Sequence, residues 1–127
     1  MAERLEALAR AYFDVWNTHD GSAVGAKFTP DGTLRDWDIA VSGAQAVGDA
    51  NGGIFKAVPG IAITVESVLA DAAKSSVACE ILVHLNDADK TVLKARAGCA
   101  SARLRRGAAR RVAGAAGRRC AATVVAL

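Results

Sequence analysis

Apolar side chains return every three or four positions through the start of the chain: Leu5, Leu8, Tyr12 and Trp16, with Ala9 and Val15 beside them. That period predicts an amphipathic helix over 3–18. Asn17-Thr18-His19-Asp20-Gly21 then supplies turn chemistry that ends it. A short second helix is expected over about 22–28, closing on Phe28, and Thr29-Pro30-Asp31-Gly32 reads as a turn. Beyond it the pattern shortens to strand length, with Thr33 to Trp37 outgoing and Ile39 to Val41 returning. Ser42-Gly43 precedes a third helix over 44–57, although Gly48, Gly52 and Gly53 lower its propensity. Pro59-Gly60 stops it. Ile61, Ile63, Val65 and Val68 alternate with polar partners up to Leu69, Ser75 to Leu85 forms a second long strand, and Thr91 to Lys94 opens a third. Asp71-Ala72-Ala73-Lys74 and Asn86-Asp87-Ala88-Asp89 supply the hairpin turns. Helix, helix, strand, strand, helix and a meander predict an α+β domain, its helices packed on one face of a curved antiparallel sheet.

The character of the chain changes after Lys94. Residues 95–120 hold nine Ala, eight Arg, four Gly and two Cys, and Gly98, Gly107, Gly114 and Gly117 would interrupt a helix there. The net charge of +3 therefore hides a split: all 13 acids lie in residues 1–94, which carry −5, while residues 95–127 carry +8. The division expected is a domain body over 1–94 and an Ala/Arg/Gly-rich basic segment over 95–127. Two readings of that segment are open. It is a solvated basic tail, or it is the translation of a shifted frame of a GC-rich gene. A basic tail could bind a polyanion with steep salt dependence, but the absence of Lys and of stacking aromatics in it argues against nucleic acid. Ala121 to Leu127 could add a short apolar strand that covers an otherwise open sheet edge.

Composition narrows the class. A chain of 127 residues corresponds to one domain, and 52% apolar residues allow a real core. No stretch reaches the ~18–20 continuous apolar residues of a membrane span, so no membrane partner is expected. The N-terminus carries acids and no apolar signal core, and no secretory peptide is expected. Cys79, Cys99 and Cys120 are odd in number and share no metal-ligand spacing. A reduced, cytoplasmic setting is the default. No metal cluster, phosphate loop or nucleophile elbow is present, so neither metal nor cofactor is expected.

The candidate chemistry rests on Tyr12 and Asp36. Tyr12 lies on the apolar stripe of the first helix. Strand alternation puts Asp36 on the face of Leu34, with Arg35 and Trp37 facing the other way. A carboxylate turned into an apolar interior is costly unless it is paired, neutralised or used. Abstracting a proton beside a carbonyl needs a base near the carbon and a donor at the developing enolate oxygen. Asp36 fits the base. Tyr12 fits the donor, since a phenol with a reference pKa of about 10 stays protonated at neutral pH. Plainer readings are also open: Tyr12 as a core aromatic, and Asp36 beside Asp38 as part of a polar hairpin. Trp16, Phe28, Leu34, Phe55 and His84 are the candidate pocket residues. Core packing is the favoured reading of Trp16, Phe28 and Phe55. Trp37, Phe28 and Phe55 could instead line a pocket mouth or a dimer face. His84 in Ile-Leu-Val-His-Leu, whose parity could turn it either way, reads first as a satisfied core or surface histidine.

Tyr12 to Asp20 (YFDVWNTHD), Phe28 to Asp36 (FTPDGTLRD), Ser42-Gly43 and Ala57-Val58-Pro59-Gly60 together resemble the nuclear-transport-factor-two-like superfamily, in its SnoaL-like and ketosteroid-isomerase-like branch. The resemblance covers about residues 5–94. It implies a cone-shaped domain whose sheet wraps a deep pocket, and often a homodimer; the partner expected for such a pocket is a small apolar molecule. It carries the branch's oxyanion-hole tyrosine onto Tyr12 and its general-base aspartate onto Asp36. The branch's second oxyanion donor, an aspartate in a later strand, falls at about Ala97, and no Asp or Glu follows Asp89. Two functions follow: isomerisation or cyclisation of an apolar carbonyl compound, or a non-catalytic ligand-binding or dimerisation module of the same fold.

Overall fold

The computed structural model describes residues 2–36, 39–101 and 120–123, with residues 99–101 and 120–123 as backbone only. The first helix, α1 (Ala2–Trp16), turns Leu5, Ala9, Tyr12, Phe13 and Trp16 inward. An exposed Glu6–Arg10 ion pair of 3.0 Å joins successive turns on its outer face. The helix ends two residues before the sequence predicts. Thr18 N–H bonds the Val15 carbonyl, His19 N–H bonds that of Trp16, and His19 takes a positive φ of 62°.

Asp20 caps the second helix, α2 (Gly21–Gly25), its carboxylate accepting from Ala23 N–H at 3.1 Å. This helix is shorter than expected, because Lys27 and Phe28 N–H turn to carbonyls three residues back. The third helix, α3 (Ala44–Ala57), has the predicted limits despite its glycines. Packing against α2 is what requires one of them. A Cβ on Gly48 would sit 2.9 Å from the Gly21 carbonyl oxygen, and one on Gly21 would sit 2.5 Å from that of Gly48. The two backbones touch there, and any side chain would push them apart.

Among the described residues, two antiparallel sheets complete the domain. The strands β1 (Thr33–Arg35) and β2 (Ala40–Ser42) form a hairpin in which Leu34 pairs with Val41. The larger sheet runs in the order β3 (Ala62–Asp71), β4 (Ser76–His84), β5 (Val92–Ser101), β6 (Cys120–Thr123). A bulge between Val65 and Ser67 interrupts the β3–β4 register and bends the sheet. The inward rows of β4 and β5, Val77, Cys79, Ile81 and Val83 with Ala95 and Ala97, close the core against α1.

The change in composition at Lys94 does not end the third long strand of the meander. It runs on through Ser101, with Ala95 and Ala97 buried and Lys94 and Arg96 exposed. Alanine is a faint apolar signal, which is why the alternation is hard to see in sequence. Part of the expected C-terminal strand is present as β6, which pairs Gly98 with Thr123 and Ser101 with Cys120. Residues 102–119 and 124–127 lie outside the described residues. At the opposite edge, Asn17 takes the place of a strand partner. Its side-chain amide donates to the Ile63 carbonyl at 2.9 Å and its oxygen accepts from Ile63 N–H at 2.8 Å. Among the described residues no helix is long and apolar enough to cross a membrane.

Candidate functional site

A cavity of about 300 Å³ lies between α1, the β1–β2 hairpin, α3 and the inner face of the large sheet. Its wall is almost entirely aliphatic and aromatic: Ile54 and Val58 from α3, Ile63, Ile81 and Val83 from the sheet, and Phe13 from α1. Only Tyr12, Asp36, Asn51 and the Trp16 indole bring polar atoms to it. A small apolar cavity with a few convergent polar groups is the usual form of a ligand site.

Tyr12 is buried, held edge-on by Phe13 at 5.1 Å and by Phe28 at 5.8 Å between ring centres. Burial pushes its phenol well above the ordinary tyrosine value, and the nearby Asp36 charge pushes it further the same way. The phenol is therefore a hydrogen-bond donor that does not ionise at any ordinary pH. Asp36 sits just past the end of β1, half-buried, on the same side as buried Leu34. Its Oδ1 accepts from Ile39 N–H at 2.9 Å, and its own N–H bonds the Ile39 carbonyl at 2.9 Å. The hairpin thus fixes the carboxylate that faces the cavity. The sequence-based pairing of phenol and carboxylate in one cavity is present, and so is the hairpin role that was the alternative for Asp36.

Four of the seven sequence candidates line the cavity: Tyr12, Asp36, Trp16 and Leu34. Three do not. Phe28 is fully buried behind Tyr12 and supports the phenol from the far side. Phe55 lies behind Trp16, edge-on at 4.8 Å. His84 faces away, because β4 turns Val77, Cys79, Ile81 and Val83 inward and so sends every even-numbered neighbour outward. Its Nε2 meets Thr64 Oγ1 at 3.0 Å across the outer surface. Trp37 and Asp38 lie outside the described residues. His19, in the turn after α1, is half-buried. Its Nε2 bonds the Ile61 carbonyl, and its ring stacks on Phe55 at 4.9 Å.

Sequence reading missed Asn51. It is 2% exposed, the single buried polar side chain in the described core. Its Oδ1 accepts from Trp16 Nε1 at 2.9 Å, and its Nδ2 donates to the Val47 carbonyl at 2.8 Å. An indole N–H and a side-chain amide buried together satisfy one another. Among the described residues no cluster of His, Cys, Asp or Glu could hold a metal ion. The Cys79 thiol is buried and raised, chiefly by that burial, so it is a packing group and not a nucleophile.

The sequence matches the SnoaL-like domain family over residues 9–124. The chain belongs to that family. No curated protein matches it at a significant level of sequence similarity. Among solved structures, a cystatin-like-fold protein of unknown function from Methylobium petroleophilum is 18% identical with a TM-score of 0.76, covering 100% of this chain and 76% of that one. A putative polyketide cyclase from Sinorhizobium meliloti is 14% identical with a TM-score of 0.72, covering 100% and 99%. A protein with a ketosteroid isomerase-like fold from Catenulispora acidiphila, in complex with trimethylamine, is 14% identical with a TM-score of 0.66, covering 94% and 83%. At these identities the likeness is one of fold.

In this SnoaL-like domain the strand expected to carry a second oxyanion donor is β5. The positions that reach the cavity wall from it are Leu93 and Ala95, while Ala97, the counterpart expected from the resemblance, is buried off the cavity. None of these three side chains can donate a hydrogen bond.

Proposed function

We propose that this SnoaL-like domain isomerises or cyclises a small, largely apolar carbonyl compound by acid–base chemistry without a metal. The observation that carries the reading is that Tyr12 and Asp36 line one largely apolar cavity, in which the Asp36 charge acts on the Tyr12 phenol. Asp36 removes a proton from the carbon beside the carbonyl and becomes a neutral acid. The electron pair moves to the carbonyl oxygen, and the Tyr12 hydroxyl, kept protonated by burial, donates a hydrogen bond to the resulting enolate. Asp36 returns the proton to a different carbon, which isomerises the compound. In a cyclisation the enolate carbon instead attacks a second carbonyl of the same molecule, and the proton goes to the new alkoxide. The scheme parallels the one established for ketosteroid isomerase.

The test is exchange of carbonyl-adjacent hydrogen for deuterium in small cyclic ketones, followed by nuclear magnetic resonance. Asp36→Asn is expected to lower the exchange rate by about a hundredfold to ten-thousandfold, with an unchanged melting temperature. Undiminished exchange in a folded Asp36→Asn protein overturns the assignment.

A second reading is favoured by the aliphatic face of β5 at Ala95: with one donor in place of two, the cavity binds apolar ligands and does not turn them over. That reading predicts ketone binding with no exchange above the buffer rate. A homodimer belongs to either reading. Leu69 and Val92 are exposed at opposite ends of the outer sheet face, with Glu80, Lys94 and Arg96 between them, so they form no continuous apolar patch.

A further inference from the structure

The titratable groups that line the cavity are both acids: the Asp36 carboxylate and the Tyr12 phenol. Among the described residues no Lys, Arg or His stands on its wall. The cations on the elements that build it are exposed at the surface: Arg10 on α1, Arg35 on β1, Lys56 on α3, and Lys94 and Arg96 on β5. The two remaining polar groups are engaged within the protein, since Trp16 Nε1 donates to Asn51 Oδ1 and Asn51 Nδ2 donates to the Val47 carbonyl. The described lining therefore carries one formal charge, and it is negative. The Tyr12 phenol shows what that charge does to a neighbour. Burial opposes its ionisation, and the Asp36 charge opposes it further. A ligand anion in the same cavity meets both penalties. A ligand cation meets only the first, and the carboxylate attracts it. Burial is blind to the sign of a charge; Asp36 is not.

We propose that the cavity selects its ligand by charge: it takes a small apolar molecule whose inserted end is neutral or an alkylammonium ion, and it turns away carboxylates and phosphates. The inference rests on the cavity being a ligand site, as proposed above, and narrows the substrate class of that site. A neutral ketone or an amino ketone fits. A keto acid whose carboxylate lies beside the reacting carbonyl does not. Asp36 is half-buried, so water still reaches the carboxylate and the pairing of a cation with it carries less than the full desolvation cost of a buried ion pair. The bond from Ile39 N–H to Asp36 Oδ1 fixes the carboxylate before any ligand arrives, so little ordering remains to be done on binding. An ammonium ion paired with Asp36 also masks the base, which makes such an ion an inhibitor of the proton transfer proposed above.

The experiment compares cyclohexylammonium, cyclohexanone and cyclohexanecarboxylate, which share one ring and differ in charge, by equilibrium dialysis. At neutral pH the amine and the acid are both fully ionised. The wild-type protein is expected to bind the ammonium ion at least about tenfold more tightly than the carboxylate. Asp36→Asn keeps an oxygen for the Ile39 N–H and removes the charge, so the preference should disappear, with the fold verified by circular dichroism. Other acids lie on the protein surface, so the place of binding is read as well. In the wild-type protein the ammonium ion should shift the nuclear magnetic resonance signals of the Ile39 amide and the Trp16 indole N–H. Equal affinity for the two ions, or tighter binding of the carboxylate, overturns the proposal. So does a preference that survives in folded Asp36→Asn, and so do wild-type shifts confined to residues off the cavity. Failure of the proton-transfer reading looks different: ketones then show no hydrogen exchange while the charge preference stands. If the wild-type protein binds none of the three, charge selection and the ligand-site reading both fall.

Discussion

Tyr12 is the only tyrosine in the chain, so its titration can be watched in isolation. Its phenol is held above the ordinary value by burial first and by the Asp36 charge second. An unfolded tyrosine ionises near pH 10. Between that pH and the raised native value, the unfolded state has lost a proton that the native state keeps. Stability therefore falls with rising pH across this window, and the contribution is fully present below it. Tyrosinate absorbance is expected to stay flat as pH rises past 10 and to appear only with unfolding. In Tyr12→Phe that part of the alkaline loss should vanish. A reversible tyrosinate titration near pH 10 in the folded protein would mean the phenol is exposed and free of the carboxylate. At this scale sequence reading found the residues whose position alone defines them. Tyr12 and Trp16 follow from helical period, Leu34 and Asp36 from strand alternation. Asn51 was invisible because its meaning lies in a donor on another helix. Phe28 and Phe55 take the core place that was their favoured reading, one layer behind the cavity wall, since an aromatic on an inward face looks alike in front of such a wall or behind it.

Among the elements, the contact between α2 and α3 decides what glycine is for. Gly48 is needed because the Gly21 carbonyl oxygen stands 2.9 Å from where its Cβ would be. Gly53, on the same helix, is exposed and has nothing within 4 Å of that point. The same substitution at the two sites should therefore have opposite signs. Gly53→Ala should stabilise the domain by about 0.5–1 kcal/mol, through helix propensity alone. Gly48→Ala should destabilise it by about 1–3 kcal/mol, because backbone must move. Urea unfolding of the two variants checks this, and equal shifts of the same sign would remove the close-contact explanation. Propensity counted all three glycines as a weakness of the third helix. Its limits were nevertheless legible, because Ser42-Gly43 and Pro59-Gly60 bracket it. The strand past Lys94 was not legible, because its inward positions are Ala95 and Ala97, too small to mark a face.

For the whole molecule, the open question of a sheet edge becomes a question about β6. This four-residue strand pairs with the far end of β5 and lies beside β1. It therefore stands where the large sheet curls toward the hairpin that carries Asp36. Take it away and β5 becomes an edge over Gly98–Ser101, with unpaired backbone N–H and C=O groups next to the cavity wall at Ala95. Such an edge pairs readily with another copy of itself. The opposite edge has Asn17 across Ile63 as cover; β5 would have nothing comparable among the described residues. Deleting residues 102–127 should therefore lower the melting temperature and produce association that grows with protein concentration in sedimentation velocity. The deletion also removes seven of the eight arginines of the basic segment. A polyanion role for that segment would add a separate signature, loss of salt-sensitive binding to a nucleic acid or to heparin. The two effects separate cleanly, since edge exposure acts without any polyanion and polyanion binding acts without any change in sedimentation. If the shortened chain melts and sediments like the full one, β6 does not close the sheet. The sheet side of the cavity, Ile63, Ile81, Val83, Leu93 and Ala95, already comes from β3, β4 and β5.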